Sequence, residues 1–114
     1  MKLSEIANSD NIIKSVSYCG NSLCLEILSW NEKIIKIEFD NCYGLKVKMA
    51  INAEIGDITT NNLSAFSAEI RDDILSGDGD EREWSKLQDT IFFDSWSDRV
   101  LLEIVAEHIN ISLV

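Results

Sequence analysis

The side chains of this sequence best suited to nucleophilic or proton-transfer chemistry near neutral pH are few: one histidine, His108, and three cysteines, Cys19, Cys24 and Cys42. A thiol–imidazole dyad would need one of those cysteines folded against His108, and no spacing in the sequence provides for that. His108 itself lies in Glu107-His108, a polar break between two apolar runs, and is expected at an exposed bend. No nucleophile elbow, phosphate-binding loop or dinucleotide fingerprint is present, and Gly77 and Gly79 read as parts of a turn. Asp78-Gly79-Asp80 has the alternating carboxylates that open a calcium loop, but the next alternate position is Arg82, which repels a cation. Two carboxylates working as acid and base could be drawn from the twenty present, yet nothing in their spacing selects a pair. The expectation is therefore no catalytic residue, no metal ligand set and no cofactor.

Where the charge sits is more informative. Residues 1–50 hold six acids and six bases, whereas residues 51–114 hold fourteen acids and four bases, so the formal net charge of −10 belongs to the second half. Glu69, Asp72, Asp73, Asp78, Asp80, Glu81 and Glu83 are answered there only by Arg71 and Arg82. Asp72 and Asp73 fall near the end of an expected helix, where the helix dipole disfavours carboxylates by roughly 0.3–1 kcal/mol. Asp80, Glu81 and Glu83 fall at the start of another, where dipole and cap favour them. A solvated acidic face is one reading of this segment, and a recognition surface for a basic partner is the other. The surplus of negative charge argues against nucleic acid, whose binding rests on bases that neutralise phosphates. Trp30 is expected at a hairpin loop. Trp84 and Trp96 stand among acids, and although tryptophan usually packs in a core, an aromatic anchor ringed by carboxylates also suits an interface with a basic protein. The candidate partner-binding residues are thus Asp72, Asp73, Asp78, Asp80, Glu81, Glu83, Trp84 and Trp96.

The elements that would position these residues follow from periodicity. Leu23, Leu25 and Ile27 alternate along one strand, Ile35, Ile37 and Phe39 along a second, and Leu45, Val47 and Met49 along a third. A bend at Trp30-Asn31-Glu32 pairs Leu23 with Phe39, Leu25 with Ile37 and Ile27 with Ile35. A second bend over Asp40 to Gly44 pairs Phe39 with Leu45, Ile37 with Val47 and Ile35 with Met49, and a one-residue slip would set apolar against charged side chains throughout. The opposite face carries Glu26, Lys36, Glu38, Lys46 and Lys48. Ile12 to Tyr18 reads as a further strand, turning at Gly20-Asn21 so that Val16 meets Leu25 and Tyr18 meets Leu23. The first ten residues suggest a short helical turn with Leu3 and Ile6 inward, and Ile51 to Ile58 an edge segment leaving the sheet.

Asn61-Asn62 offers an N-cap, with Leu63, Phe66, Ile70 and Ile74 at helical spacing and Gly77 as the helix stop. Asp80 and Glu83 open a second, short helix through Trp84 and Leu87. Thr90 to Phe93, Val100 to Ala106 and Ile109 to Val114 read as strands, the last two joined by a bend at Glu107-His108 that pairs Ala106 with Ile109 and Ile104 with Ile111. The fold class is α+β: a mainly antiparallel β-sheet meander with one main helix and a second short one, in a single domain over residues 1–114. No apolar run approaches the ~20 residues of a membrane span, and Met1 to Glu5 meets a charge too early for a signal peptide. Three cysteines with no paired spacing suit reduced thiols in a cytoplasm.

With the meander SLCLEILSWNEKIIKIEF and the closing FFDSWSDRVLLEIVAEHINISLV, this short acidic chain resembles the small cytoplasmic immunity proteins of bacterial polymorphic-toxin and contact-dependent inhibition systems. The resemblance spans most of the chain and lies in strand pattern, size and acidity; it carries over no functional residue. It implies a non-catalytic protein that binds a toxin domain, often a basic nuclease, and blocks its active site or a nearby surface. Two other readings stay open: a small-ligand or enzymatic domain using one face of the sheet, and a structural subunit that oligomerises through a strand edge, since no proline blunts one.

Overall fold

The structure is a computed structural model that describes residues 2–7, 10–60, 64–76, 87–97 and 99–114. In chain order it contains α1 (Leu3–Ile6), β1 (Ile12–Cys19), β2 (Ser22–Leu28), β3 (Ile34–Val47), β4 (Ile55–Thr60), α2 (Ala65–Ser76), β5 (Gln88–Asp94) and β6 (Val100–Leu113). The strands form one six-stranded sheet in the order β1-β2-β3-β6-β5-β4, and every neighbouring pair is antiparallel. It is an α+β fold in which the strands far outweigh the helices.

The first hairpins form as the alternation predicts. Val16 lies opposite Leu25 and Tyr18 opposite Leu23; Leu23, Leu25 and Ile27 lie opposite Phe39, Ile37 and Ile35. Each of these residues on β2 and β3 is buried. Trp30 lies at the β2–β3 turn, and Ile6 of α1 is buried with Leu3 packed beside it.

Two expected bends are absent. The chain does not reverse at Asp40 to Gly44; β3 runs on to Val47, and its partner along that length is β6. Phe39 therefore faces Ile109 rather than Leu45, Ile37 faces Ile111 rather than Val47, and Met49 lies outside the sheet, 82% exposed. Nor does β6 reverse at Glu107-His108: it is continuous, Ala106 faces Cys42, and His108 is an exposed strand residue opposite Asp40. The misreading has a physical cause. The apolar positions of β3 pass from Ile35, Ile37 and Phe39 to Cys42 and Leu45, and those of β6 pass from Leu102, Ile104 and Ala106 to Ile109 and Ile111. Each strand thus carries two consecutive polar residues where the inward face changes parity, Asp40-Asn41 and Glu107-His108, and two polar residues between apolar runs look like a turn.

The structure sets the two breaks side by side. Asn41 takes a left-handed conformation (φ 52°), its side-chain amide donates to Glu107 Oε2 at 2.9 Å, and Asp40 accepts from Ser22 Oγ and Asn110 Nδ2, each at 2.8 Å. An irregularity between Cys42 and Gly44 then adds one residue to β3, the kind of insertion that bends a strand and increases its twist.

The resulting curl brings the two edges of the sheet together at one end. The Ile13 N–H donates to Ala53 O at 3.0 Å, the Asn52 N–H to Ile13 O at 2.7 Å and the Ile55 N–H to Asn11 O at 3.0 Å. The segment before β4 thus joins β1, and β4 stays in the sheet as an edge paired with β5, correcting the expectation that Ile51 to Ile58 leaves it. The Asn11 side chain donates to Ile6 O at 2.9 Å and fixes α1 near that junction.

The main core lies on the concave side, where Leu25, Ile37, Phe39, Phe92, Leu102 and Ile104 are fully buried. The run from Leu101 to Ala106 is buried at every position, as a strand covered on both faces must be. The second cover is α2, seated on Gly44: a Cβ built there would lie 2.1 Å from Ile70 Cδ1 and 3.0 Å from Phe66 Cζ. The helix begins at Ala65, and Ser64 caps it. The Ser67 N–H donates to Ser64 Oγ and the Ser64 N–H donates to Ser67 Oγ, both at 3.1 Å, a reciprocal box of the capping type. The expected cap at Asn61-Asn62, the stop at Gly77 and most of the second short helix lie outside the described residues.

Two substitutions test this architecture. Ile37→Asp places an unpaired carboxylate in the core, at a cost of several kcal/mol against the ~5–15 kcal/mol that holds a typical domain folded, so the variant should be unfolded at room temperature by circular dichroism. Gly44→Val should push α2 from the sheet and lower stability by about 1–3 kcal/mol in urea titration. A wild-type midpoint for Gly44→Val would mean that α2 packs elsewhere.

Candidate functional site

Two constellations of functional side chains emerge, one sealed and one open. The sealed one lies beneath the start of α2. Asp89 on β5 is fully buried and Glu103 on β6 is 5% exposed. Asp89 lies opposite Val105 and Ile91 opposite Glu103, so the two acids are diagonal neighbours on the face that α2 covers. Ser64 Oγ stands between them, 3.1 Å from Asp89 Oδ2 and hydrogen-bonded also to Glu103 Oε2. One hydroxyl has one proton to donate, so the two acids share a single donor there. Burial first, then the hydrogen bond and charge of Glu103, push Asp89 up to about 6, against the opposing pull of the Ser64 and Ser67 hydroxyls. The contacts of Ser64 with both acids tie the capped end of α2 to β5 and β6.

This pair escaped the reading of spacing because its members are far apart in sequence. A signal was nevertheless present: Glu103 is the one charge within Val100 to Ala106, and Asp89 directly precedes Thr90 to Phe93. An acid inside an apolar run is either outward on an exposed face or buried with a partner, and a strand covered on both faces leaves only the second option.

The open constellation is the turn from Asp94 to Arg99, between β5 and β6. Asp94 organises it by accepting the Trp96 N–H at 3.1 Å, the Ser97 hydroxyl at 2.9 Å and Arg99 Nη2 at 3.4 Å. The Trp96 N–H above all, then Ser97 and Arg99, hold its carboxyl below the usual range despite the opposing effect of burial. Glu54, just before β4, grips the same turn from the other side. Its carbonyl accepts the Ser95 N–H at 3.2 Å, and its Oε2 accepts Ser95 Oγ at 3.2 Å and the indole Nε1–H of Trp96 at 3.0 Å. Gly56 permits the approach, because a Cβ there would lie 2.6 Å from Ser95 Cα and 2.8 Å from Asp94 O. The indole is thus held in place while 84% of Trp96 remains exposed.

Of the residues expected to meet a partner, Trp96 is therefore outward and set beside Glu54 and Asp94. Asp72 and Asp73 are exposed on α2, a different element. Asp78, Asp80, Glu81, Glu83 and Trp84 lie outside the described residues. Glu54 was missed, since nothing in the sequence ties it to a tryptophan 42 positions away. Trp30 is 72% exposed at its turn. Cys19, Cys24 and Cys42 are free thiols, and among the described residues no group of three or more His, Cys, Asp or Glu is placed to hold a metal ion. Among those residues, too, no helix is long and apolar enough to cross a membrane.

Compared with known proteins, the chain matches no family model, no curated protein and no solved structure.

The buried pair has a thermodynamic consequence. A carboxyl whose pKa is raised on folding binds protons in the folded state that the unfolded chain does not, so its contribution to stability grows as pH falls through about 6 towards the unfolded value near 3.8. Relative to Asp89→Asn, the wild type should gain about 1 kcal/mol between pH 7 and pH 5. Urea titrations of both proteins at the two pH values measure it. A constant difference between them would mean that Asp89 is ionised throughout, as an exposed acid would be.

Proposed function

We propose that this chain is a non-catalytic binding protein that docks a basic protein through the surface around Trp96, and that it belongs among the cytoplasmic bacterial immunity proteins its sequence resembles, neutralising a toxin domain. The observation that carries this reading is Trp96 itself. A large aromatic side chain left 84% exposed forgoes the burial that favours folding, while hydrogen bonds donated by Trp96 to Asp94 and Glu54 hold its turn in one arrangement. Exposed apolar side chains rimmed by polar groups mark interaction sites, and a tryptophan already fixed in place loses little freedom when a partner covers it.

The carboxylates beside it select the partner's charge. Glu54 flanks the indole, and an Arg or Lys of the partner can lie over the ring while pairing with an acid. Asp72 and Asp73 on α2, together with the net charge of −10, draw a cation-rich surface towards the molecule before contact is made. A basic nuclease domain has that character. Binding of this kind asks for shape and charge from the chain and for no bond-making chemistry.

The test is a kinetic one on the protein captured from the source cell with the wild-type chain as bait. Trp96→Ala should speed dissociation by a factor of about 30, corresponding to roughly 2 kcal/mol at a hot spot. Asp72→Lys with Asp73→Lys should instead slow association and flatten its dependence on ionic strength. Complex lifetimes unchanged by the loss of the indole would exclude Trp96 as the anchor and remove the basis of this proposal.

A further inference from the structure

The cations of this acidic chain are not evenly spread. Lys46, Lys48 and Arg99, three of its ten lysines and arginines, line one cavity of about 320 Å³ where β3 ends and β6 begins. Its remaining lining is Val100, Leu101 and Glu103. The Lys48 N–H donates to Leu101 O at 2.9 Å, and Lys46 lies opposite Glu103, so the two strands fix the position of both lysines.

Among the described residues the arrangement leaves those lysines without a carboxylate, although acids outnumber bases two to one in the chain. Glu103 is the obvious counter-ion for Lys46, yet its Oε2 is taken by Ser64 Oγ beneath α2. The Lys46 ammonium lies instead over the Phe66 ring, 5.8 Å from its centroid. Among the described residues no carboxylate lies within ion-pair distance of Lys46 or Lys48, and Arg99 keeps one edge on Asp94. Val100, at the start of β6, is exposed and Leu101 is buried beneath it, so the cavity has an apolar side as well as a cationic one. Cationic side chains beside an apolar wall complement a ligand that is both acidic and apolar.

We propose that this cavity is a docking site for an acidic peptide segment, whose carboxylates meet Lys46 and Lys48 and whose apolar side chains lie against Val100 and Leu101. The site goes beyond the reading built on Trp96, uses different anchoring residues, and selects a ligand of opposite charge.

The test is an amide chemical-shift titration of the full chain with a synthetic peptide of alternating glutamate and leucine. The same peptide with glutamine for glutamate, inorganic phosphate, octanoate and a single-stranded oligonucleotide are titrated in parallel. Saturable shifts confined to residues 46–51 and 99–103, seen with the glutamate peptide and lost with the glutamine peptide, are the expected result. Lys46→Glu with Lys48→Glu should weaken the binding by about tenfold or more. Both side chains are exposed, so the variant should keep its spectrum elsewhere. Equal response to phosphate or octanoate would make this a small-anion site, stronger binding of the oligonucleotide would make it a phosphate-backbone site, and either overturns the proposal. So would an absence of shifts, or a folded charge-reversed variant that binds as the wild type does.

Discussion

Two paired strands of fourteen residues each, β3 and β6, can keep apolar side chains on one core along their whole length only if both change face at the same level. Side-chain parity in a strand is strict, so an unanswered change in one partner would turn half of its residues to solvent. Here the changes coincide. Ile37 meets Ile111 before the break, Cys42 meets Ala106 after it, and Leu45 meets Ile104 beyond the extra residue in β3. The outward residues at the break are held by Asn41 to Glu107 and by Asp40 to Ser22 and Asn110, which gives polar groups at a strand irregularity the partners they need.

The candidate site depends on that coincidence through a short chain of contacts. A sheet bent at its centre curls until β1 and the segment before β4 share hydrogen bonds, and Glu54 lies within that junction, bridged to Ile12. From there its backbone and carboxylate both reach the turn that carries Trp96. The exposed indole is thus positioned by residues of β5 and of the segment before β4, neighbours at one end of the sheet that meet where Ile55 pairs with Asp94. The same curl divides the molecule into a half whose outer face is solvated and a half whose outer face takes α2. The second half is where Asp89 and Glu103 are buried, because a helix laid across strands that carry acids must either neutralise them or lose its seat.

Local pairing was legible in the sequence and non-local pairing was not. Leu23, Leu25 and Ile27 find Phe39, Ile37 and Ile35 through a short turn, and alternation alone specifies that register. Nothing local distinguishes a hairpin bend from a parity change, since both place two polar residues between apolar runs; the choice at Asp40-Asn41 is settled by β6, more than sixty residues away. His108 was assigned to a bend for the same reason. Trp96 could be singled out by the acids around it. Its actual partner, Glu54, could not, because that contact follows from the pairing of Ile55 with Asp94, which joins segments distant in sequence. The acids from Asp78 to Glu83 stood out in the sequence by charge alone, and charge alone does not say which face they would share with Trp96.

The two charged surfaces also follow from competition for the same few counter-ions. In a chain with twenty acids and ten bases, each carboxylate drawn into a buried contact is lost as a surface counter-ion. Glu103 turns inward to Ser64 and Asp89, and Lys46, opposite it across the strands, is left facing a cavity. Asp94 is occupied by the Trp96 turn and by Arg99, so that arginine is only partly available to the same cavity. The capping of α2 and the anchoring of Trp96 therefore do more than hold backbone in place. Each engages an acid near the end of the sheet where β3 and β6 meet the β5–β6 turn, and among the described residues Lys46 and Lys48 are left there with no carboxylate in ion-pair distance. Residues chosen for internal satisfaction thereby set the polarity of the outer surface, with no further change in sequence required.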